Sequence, residues 1–143
     1  MKLNPYLNFG GNAEDALHFY ETALEGEIVE LKRYKDNPMP GTADFGEKIL
    51  HARIKFGDDN LIMISDTMKK QMDNGSGDIQ LAIGLSDEEK THRVFDKLAE
   101  EGKVIMPLKK QFWGDIFGML EDKFGMKWML NCQAAQQTQS AKE

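Results

Sequence analysis

Two stretches of this chain carry the same succession of patterns. Residues 4–20, NPYLNFGGNAEDALHFY, alternate along a strand-like segment and then continue at helical spacing, and residues 79–96, IQLAIGLSDEEKTHRVFD, do the same. A glycine follows each helical segment, and the separation of Gly26 and Gly102 gives an offset of 102 − 26 = 76. At this offset Phe19 falls on Phe95, Ala23 on Ala99 and Ile28 on Val104. The repeat predicts a βαβββ module that occurs twice in an α+β fold.

The segments around the two helices complete each module. Three further strands are predicted in the first copy, at residues 27–34, 47–56 and 60–65, with a loop at 35–46. Asn12 is expected to cap the first helix, Gly26 to end it in the left-handed conformation, and Ser86 with Glu89 to form a capping box on the second. The predicted boundaries are 1–66 for the first module, 67–77 for a connector, 78–132 for the second module and 133–143 for a flexible tail.

Composition narrows the range of partners. The formal net charge is −6 and no basic stripe is present, which argues against nucleic-acid binding through phosphates. No run approaches the ~18 apolar residues of a membrane span. The single cysteine, Cys132, excludes a disulfide within the chain and favours a packing role in a reducing compartment. We therefore expect a cytoplasmic protein with no membrane or nucleic-acid partner.

Strand alternation separates an apolar side from a mixed side in each module. The apolar side, with Leu7, Phe9, Ile54 and Ile64, is expected to pack under the helix. The mixed side combines polar groups, methionines and aromatic residues, a composition that suits the lining of a cavity. The sequence predicts that the two sheets form a curved mixed sheet around a cleft. The residues expected to bind a ligand there are Tyr6, Asn8, Met63, Gln80, Trp113, Phe117, Met129 and Asn131.

Several of these segments resemble a known family. NPYLNFGGNAEDALHFYETAL, EKILHARIKFGDDNLIMISD and FWGDIFGMLEDKFGMKWMLN resemble the PhnB-like branch of the vicinal oxygen chelate superfamily, over residues 3–132. That superfamily includes glyoxalase I, bleomycin-resistance proteins, fosfomycin-resistance enzymes and extradiol dioxygenases. Members of the branch have carried the label 3-demethylubiquinone 3-methyltransferase, but no glycine-rich nucleotide-binding loop opens a βαβ unit here.

The resemblance also implies where a metal would bind. The metal enzymes of the superfamily take one ligand from the first and last strands of each module, and the matching positions here are Asn4, Met63, Gln80 and Met129, or Tyr6 or Ser65 one strand position away. Amide oxygens are weak ligands, and thioethers are too soft for the divalent metals that oxygen ligands favour. We therefore expect no metal and no other cofactor, which argues against glyoxalase and dioxygenase chemistry.

His51 is the strongest catalytic candidate. It shares one side of its predicted strand with Arg53 and Lys55, so His51 could act as a general base and Arg53 could stabilise an oxyanion. The alternative is a hydrogen-bonded strand histidine beside solvated charges. No second strong acid or base is expected nearby. Trp113 and Phe117, which flank Gly114 and Gly118, could form an aromatic wall or simply pack in the core, whereas Trp128 has the parity of the helix-facing side.

Three functions remain open at this level. The first is a small-molecule-binding protein similar to the bleomycin-resistance members, with its ligand in the cleft. The second is an enzyme that acts on a small carbonyl, phosphonate or thiol-conjugate substrate with His51 as base. The third is a structural module with a filled interior. The net charge favours a cationic ligand and the Arg53/Lys55 pair an anionic one, and a homodimer is expected because two sheets leave edges to cover.

Overall fold

The computed structural model contains two compact units, divided between residues 73 and 74. The described residues are 1–37, 39–67 and 77–133. Each unit contains one four-stranded mixed sheet and one α-helix, which confirms the predicted α+β architecture of two βαβββ modules. Most of the predicted connector 67–77 and of the predicted tail 133–143 lies outside the described residues.

Unit 1 is built from the first copy of the repeat. Its elements are β1 (Tyr6–Phe9), α1 (Ala13–Ala23), β2 (Glu27–Arg33), β3 (Ile49–Phe56) and β4 (Asn60–Asp66). The strand order is β1-β4-β3-β2, with β1 parallel to β4 and the other neighbours antiparallel. Two short 3₁₀ turns, Tyr34–Asp36 and Ala43–Phe45, lie in the predicted loop 35–46. The first strand begins at Tyr6 rather than Leu3, so Asn4 precedes the sheet.

Unit 2 repeats this topology. Its elements are β5 (Gln80–Leu85), α2 (Glu88–Leu98), β6 (Lys103–Lys110), β7 (Ile116–Glu121) and β8 (Lys127–Cys132). The order β5-β8-β7-β6, with β5 parallel to β8, matches that of unit 1 strand for strand. The predicted elements therefore occur in the predicted sequence, with ends that differ by one to three residues.

One face of each sheet is closed by its helix. The helix-facing residues of unit 1 include Leu7, Phe9, Ile54, Ile62 and Ile64, all buried. Those of unit 2 include Trp128 and Leu130 under Val94, Phe95 and Leu98, as the parity of Trp128 predicts. Each large apolar side chain buried in this way contributes about 1.5–3 kcal/mol to folding. The opposite side of each sheet, called here the helix-free face, carries polar side chains and methionines.

The N-terminus of α1 is capped from a distance. Asn12 occupies the N-cap position, but its side chain makes no capping hydrogen bond, so the predicted Asn12 cap is wrong. Instead, Asp66 at the end of β4, 1% exposed, accepts hydrogen bonds from the amides of Gly11 and Ala13 through Oδ1 and from Ile49 through Oδ2. One carboxylate thus joins the first turn of α1 to two strands, and its negative charge lies at the positive end of the helix dipole.

The helix of unit 2 is capped locally. The Ser86–Glu89 capping box is not formed, because the helix begins one residue later and Asp87 is its N-cap. Asp87 Oδ1 accepts a hydrogen bond of 3.1 Å from the amide of Lys90. A carboxylate is as good an acceptor here as a hydroxyl, and it adds a favourable charge at the helix N-terminus.

The two helices end in matching ways. The left-handed residues are Glu25, with φ 54°, and Glu101, with φ 58°, so the expectation that Gly26 takes this conformation is wrong. Gly26 is needed for a different reason, because a Cβ there would lie 2.6 Å from the carbonyl oxygen of Lys55. Gly102 approaches the carbonyl oxygen of Glu121 in the same way. Glu25 and Glu101 are separated by 101 − 25 = 76 residues, the offset of the sequence repeat.

Candidate functional site

The helix-free face of unit 1 brings five predicted residues onto one surface. Strand register places Tyr6 beside Met63, Met63 beside Arg53 and Arg53 beside Glu30 in a row that crosses all four strands. Asn8 pairs with Ser65 and His51 with Lys32 in the next row. Because paired residues project to the same side of a sheet, the row surrounds Met63 with groups that can form hydrogen bonds.

His51 lies between a phenol and a carboxylate. Tyr6 Oη is 3.0 Å from His51 Nδ1, a hydrogen-bond distance, and the two rings are tilted at 44° with centroids 5.7 Å apart. On the other side, His51 Nε2 lies 3.8 Å from Glu30 Oε1. The expectation that no second acid or base lies near His51 is therefore wrong. Tyr6 is 44% exposed, so its hydroxyl is accessible to a ligand.

Arg53 is held close to Glu30 without completing its hydrogen bonds. Its Nε lies 2.7 Å from Glu30 Oε1, but the N–H is not aligned with the carboxylate, and this buried atom has no hydrogen-bond partner. A misaligned N–H gives much less than a well-formed hydrogen bond. Because Nε is buried, it is not available to a ligand, and the charge of Arg53 remains paired with Glu30.

Glu30 balances the charges of this group, which we call the Tyr6 cluster: Tyr6, His51, Glu30, Arg53 and Lys32. The hydrogen bond with Lys32, together with the charges of Lys32, Arg53 and His51, lowers the pKa of Glu30 despite the opposing effect of burial. Lys32 Nζ lies 3.3 Å from Glu30 Oε2. Counting one carboxylate against Arg53 and Lys32 leaves −1 + 2 = +1 with neutral His51. The cluster is therefore a locally cationic surface on an acidic protein.

A second polar pair borders the cluster. Ser65 Oγ donates a hydrogen bond of 3.1 Å to Asn8 Oδ1 on the neighbouring strand. The bond fixes the Asn8 carbonyl oxygen and turns its amide nitrogen away from Ser65. Asn8 thus stands where it was predicted, with a partner that the sequence suggested only as an alternative metal position.

The helix-free face of unit 2 carries more methionines and fewer charged groups than that of unit 1. Register places Met129 between Ala82 and Met119, and Met106 beside Met119, so three thioethers stand side by side across neighbouring strands. Gln80 pairs with Lys127 at one end of this face. Flexible, polarizable thioethers adapt to differently shaped apolar groups. Met106 and Met119 were not predicted as site residues.

Phe117 and Asn131 lie next to these methionines. They pair directly across β7 and β8, and Asn131 Nδ2 donates a hydrogen bond of 3.0 Å to Asp115 Oδ2. Trp113, on the loop between β6 and β7, is 51% exposed, and its ring centroid lies 6.4 Å from that of Phe117. The structure therefore brings Trp113, Phe117 and Asn131 together at one edge of the face.

The corners that would hold the metal of the superfamily do not fit one. The residue beside Met63 is Tyr6 and the residue beside Met129 is Ala82, so Asn4 and Gln80 each lie one pair away from the expected register. A phenol, two thioethers and a methyl group are a poor donor set for a hard divalent cation. In the described ranges, no three His, Cys, Asp or Glu side chains cluster as metal ligands.

A separate cavity of about 190 Å³ opens at the N-terminus of α1. It is lined by Gly11, Asn12, Glu14, Asp15, Glu47, Lys48 and Asp66 and contains none of the predicted site residues. Asp66 uses both carboxylate oxygens on backbone amides, and Lys48 Nζ donates to the carbonyl oxygen of Gly11. These bonds give Asp66 and Lys48 a structural role in unit 1.

Sequence comparison places the chain in a family. Residues 1–131 match the sequence profile of a family described as 3-demethylubiquinone-9 3-methyltransferase. The chain belongs to this PhnB-like family. Protein YjdN of Escherichia coli strain K12 is 34% identical, over 97% of this chain and 100% of its own length.

Solved structures support the same relationship. Protein PA1353 from Pseudomonas aeruginosa is 35% identical with a TM-score of 0.82, over 94% of this chain and 99% of that chain. A putative 3-demethylubiquinone-9 3-methyltransferase, PhnB protein, from Bacillus cereus is 30% identical with a TM-score of 0.77, over 93% of this chain and 100% of that chain.

The fold extends beyond this PhnB-like family. A glyoxylase/bleomycin resistance protein/dioxygenase domain from Frankia sp. EAN1pec is 9% identical with a TM-score of 0.66, over 92% of this chain and 96% of that chain. The fosfomycin resistance protein FosX from Mesorhizobium loti, also 9% identical, has a TM-score of 0.59 over 96% and 97%. At such low identity the likeness shows the fold alone, and this fold is the one that the sequence predicted. Across the described residues, no helix is long and apolar enough to cross a membrane.

Proposed function

We propose that this PhnB-like protein binds a small molecule, and that the helix-free face of unit 1 provides the polar groups that hold it. The observation that carries the proposal is the Tyr6 cluster. It combines an accessible phenol, a histidine and a partly exposed guanidinium that is paired with Glu30. Polar groups that converge in this way usually orient a ligand.

The helix-free faces of the two units suit different chemical groups. The unit 1 face offers a net positive cluster, whereas the unit 2 face offers Met119, Met129 and Phe117 with few charges. An oxyanion would find hydrogen-bond donors at the first, and an apolar or flat group would find thioethers and an aromatic ring at the second. The local charge therefore favours an anionic ligand over the cationic one that the net charge suggested.

Catalysis is the second candidate function, with His51 as general base, Arg53 as oxyanion partner and a small carbonyl, phosphonate or thiol-conjugate substrate. It is favoured by the chain Tyr6–His51–Glu30, in which a carboxylate lies behind an imidazole whose other nitrogen contacts a hydroxyl. Such a carboxylate orients the ring and stabilises its protonated form. Nothing in this chain of groups requires a metal or a methyl donor.

Ligand binding can be tested by thermal shift. The panel is methylphosphonate, benzoate, S-methylglutathione and benzyltrimethylammonium, and a bound compound raises the unfolding midpoint by mass action. Arg53→Gln should abolish most of the gain from an anion. The matched control is Arg93→Gln, on the exposed side of α2. Equal gains in both variants, or no gain from any compound with the wild type, would contradict the proposal.

Metal analysis provides a separate check. Protein purified without chelators should contain well below one equivalent of any divalent metal, because the candidate corners carry Tyr6, Met63, Ala82 and Met129. Stoichiometric zinc, manganese or nickel that remains after dialysis would contradict the conclusion that these side chains are poor metal ligands. It would then support metal-dependent chemistry.

The assembly and location proposed with this function are a cytoplasmic homodimer. Val104, Ile105 and Met106 on the edge strand β6 are each more than 40% exposed, an apolar surface that a second copy would cover. The single, buried cysteine is compatible with a reducing compartment. Sedimentation velocity checks the dimer, which Ile105→Lys should weaken if β6 forms the contact.

A further inference from the structure

In the Tyr6 cluster, the hydrogen bonds of the Tyr6 hydroxyl and of the His51 ring depend on each other. A tyrosine hydroxyl has one proton to donate, and in the free protein this hydroxyl lies at hydrogen-bond distance from His51 Nδ1. His51 Nε2 faces the carboxylate of Glu30 at 3.8 Å. A neutral imidazole has one N–H and one acceptor nitrogen. The arrangement that suits both neighbours has the N–H on Nε2, towards Glu30, and the acceptor on Nδ1, towards Tyr6.

We propose that binding of a small organic oxyanion at Tyr6 is coupled to the uptake of one proton by His51. This inference rests on the proposed ligand site and assigns it a ligand class, a carboxylate or a phosphonate, and a proton linkage. A carboxylate or a fully ionised phosphonate has only acceptor oxygens, so the Tyr6 hydroxyl must direct its single proton to the ligand. His51 Nδ1 then loses its donor.

The proton balance follows from these positions. His51 takes one proton from solvent at Nδ1, and the new N–H donates to the oxygen of Tyr6. No bond of the ligand is broken, and the ligand leaves with the charge it brought. The alternative, a shift of the neutral ring to the Nδ1–H tautomer, would aim the lone pair of Nε2 at the Glu30 carboxylate. The imidazolium keeps an N–H on that side, and its charge is attracted to Glu30.

Some charged groups around His51 disfavour this proton uptake, and others favour it. Tyr6 faces the ring from β1, and Glu30 and Lys32 approach it from β2. Arg53 lies on the same strand, and β4 contributes the uncharged Met63 and Ser65. The two cations disfavour a protonated ring in the free protein, while Glu30 favours it. A bound oxyanion adds a negative charge beside Tyr6, and this addition shifts the balance towards the imidazolium.

Linkage fixes the consequence for affinity. If the ligand promotes proton uptake, a proton must promote ligand binding to the same extent. Imidazole side chains exchange their proton near neutral pH. Above that range, the dissociation constant of the anion should rise by about tenfold per pH unit when one proton is coupled to binding. At lower pH the dissociation constant should level off, because the coupled proton is then bound before the anion arrives.

Calorimetry measures the coupled proton directly. The probes are methylphosphonate and benzoate, titrated at pH 8 in Tris and in HEPES, whose ionisation enthalpies differ. We expect the wild type to take up close to one proton per bound anion. His51→Gln should still bind through Tyr6 and Arg53 but with no uptake, and Tyr6→Phe should bind at least tenfold more weakly with little uptake. His18→Gln, on the exposed surface of α1, is the matched control and should behave like the wild type.

Two results would overturn the inference while leaving the proposed function intact. One is anion binding without proton uptake by the wild type, or with equal uptake by His51→Gln. The other is failure of both anions to bind while benzyltrimethylammonium does. The proposed function itself fails on the thermal-shift outcomes given above, which are no gain from any compound or equal gains in Arg53→Gln and Arg93→Gln. Methylphosphonate and benzoate also separate the two ligand sources, since their relative affinities show whether a tetrahedral or a planar anion fits.

A ligand-free measurement tests the starting state. Nitrogen-15 NMR of the His51 ring at pH 8 should show Nδ1 as the unprotonated, hydrogen-bonded nitrogen and Nε2 as the protonated one. Tyr6→Phe should move the Nδ1 resonance to the position of a free acceptor nitrogen, and His18 in the same spectrum serves as internal reference. A neutral His51 ring with its proton on Nδ1 would remove the physical basis of the coupling.

Discussion

In unit 1 the N-terminus of α1 is capped by Asp66 from the far end of the module, whereas in unit 2 the residue that precedes α2, Asp87, caps its own helix. The register shows what replaces Asp66 in the second copy. Phe9 pairs with Asp66, and the equivalent Leu85 pairs with Cys132, a buried thiol. The two modules therefore preserve topology and register while they fasten their helices with different chemistry.

A second contrast concerns the rim of unit 1. Arg33 donates two hydrogen bonds to Glu14, from Nη1 to Oε1 at 3.0 Å and from Nη2 to Oε2 at 2.7 Å. At the offset of 76, Glu14 corresponds to residue 90 and Arg33 to residue 109, and both are lysines. Two like charges cannot form this bridge. The Arg33–Glu14 bridge is thus specific to unit 1, whereas unit 2 has a different long-range polar contact, from Lys127 Nζ to the carbonyl oxygen of Gly77.

The largest expected effect tests the long-range cap. Asp66→Ala leaves the amides of Gly11, Ala13 and Ile49 without their acceptor in a buried site. An unsatisfied buried donor costs about 1–3 kcal/mol, so we expect the free energy of unfolding to fall by about 3 kcal/mol or more. Urea unfolding followed by circular dichroism measures the loss, and amide hydrogen exchange should show lower protection at these three positions.

The control for Asp66 is its counterpart in unit 2. Asp87→Ala removes one exposed capping bond and should lower the free energy of unfolding by about 1 kcal/mol. If the two substitutions lower the free energy of unfolding equally, the long-range cap and the local cap stabilise the protein to the same extent. A larger loss for Asp87→Ala would reverse the comparison.

The next effect should be the same in both units. Alanine at Gly26 would place a methyl group 2.6 Å from the carbonyl oxygen of Lys55, and alanine at Gly102 would meet that of Glu121. Overpacking against backbone costs about 1–3 kcal/mol. We expect each variant to lose about 2 kcal/mol of unfolding free energy in urea, with a difference between them under about 1 kcal/mol.

Gly84→Ala is the control for this pair. No atom lies within 4 Å of a Cβ placed at Gly84, so the substitution should leave the free energy of unfolding nearly unchanged. A tolerated alanine at only one of Gly26 and Gly102 would show that the repeat does not use the two glycines for the same purpose.

The fold could be predicted because its signals are local. Strand alternation, helical spacing and the recurrence at 76 residues depend on neighbours in the chain, and they gave the correct order of elements. The cap of α1, in contrast, depends on a residue that is far away in the sequence. Asp66 is 53 residues from the Ala13 amide that it accepts from, and nothing in its immediate sequence marks it as a helix cap. Ser86 looked like a cap because its hydroxyl fits, but Asp87 lies one residue closer to the helix.

The site was predicted in part for the same reason. Alternation correctly placed His51 and Arg53 on one side of β3, on the same face as Met63 of β4 and Tyr6 of β1. Glu30 was missed because the sequence analysis did not assign the residues of β2 to the two faces of the sheet. Glu30 and Lys32 have the same parity, and they lie on the face that carries Arg53 and His51. The pairing of β2 with β3 contains two register shifts, and sequence alternation gives no sign of them.

The smallest expected effect concerns the ion pair that only unit 1 contains. The hydrogen bond from Arg33, followed by its charge and those of His18 and Lys48, lowers the pKa of Glu14 below its ordinary value of 4.5. A lowered folded-state pKa gives a contribution that is present above pH 4.5 and is lost as the pH falls through the folded-state value. Because the pair is partly exposed, Glu14→Gln should cost only about 0.5 kcal/mol at pH 7.

The pH dependence distinguishes this pair from general surface effects. Urea unfolding of the wild type and of Glu14→Gln should give a difference that is constant from pH 7 to about pH 5 and that shrinks towards zero below pH 4.5, where the wild-type carboxyl takes up its proton. Glu100→Gln removes the exposed partner of Lys97 in unit 2, 3.8 Å away, and should have no measurable effect at any pH. A difference that persists at low pH would assign the effect of Glu14 to packing against α1 rather than to its charge.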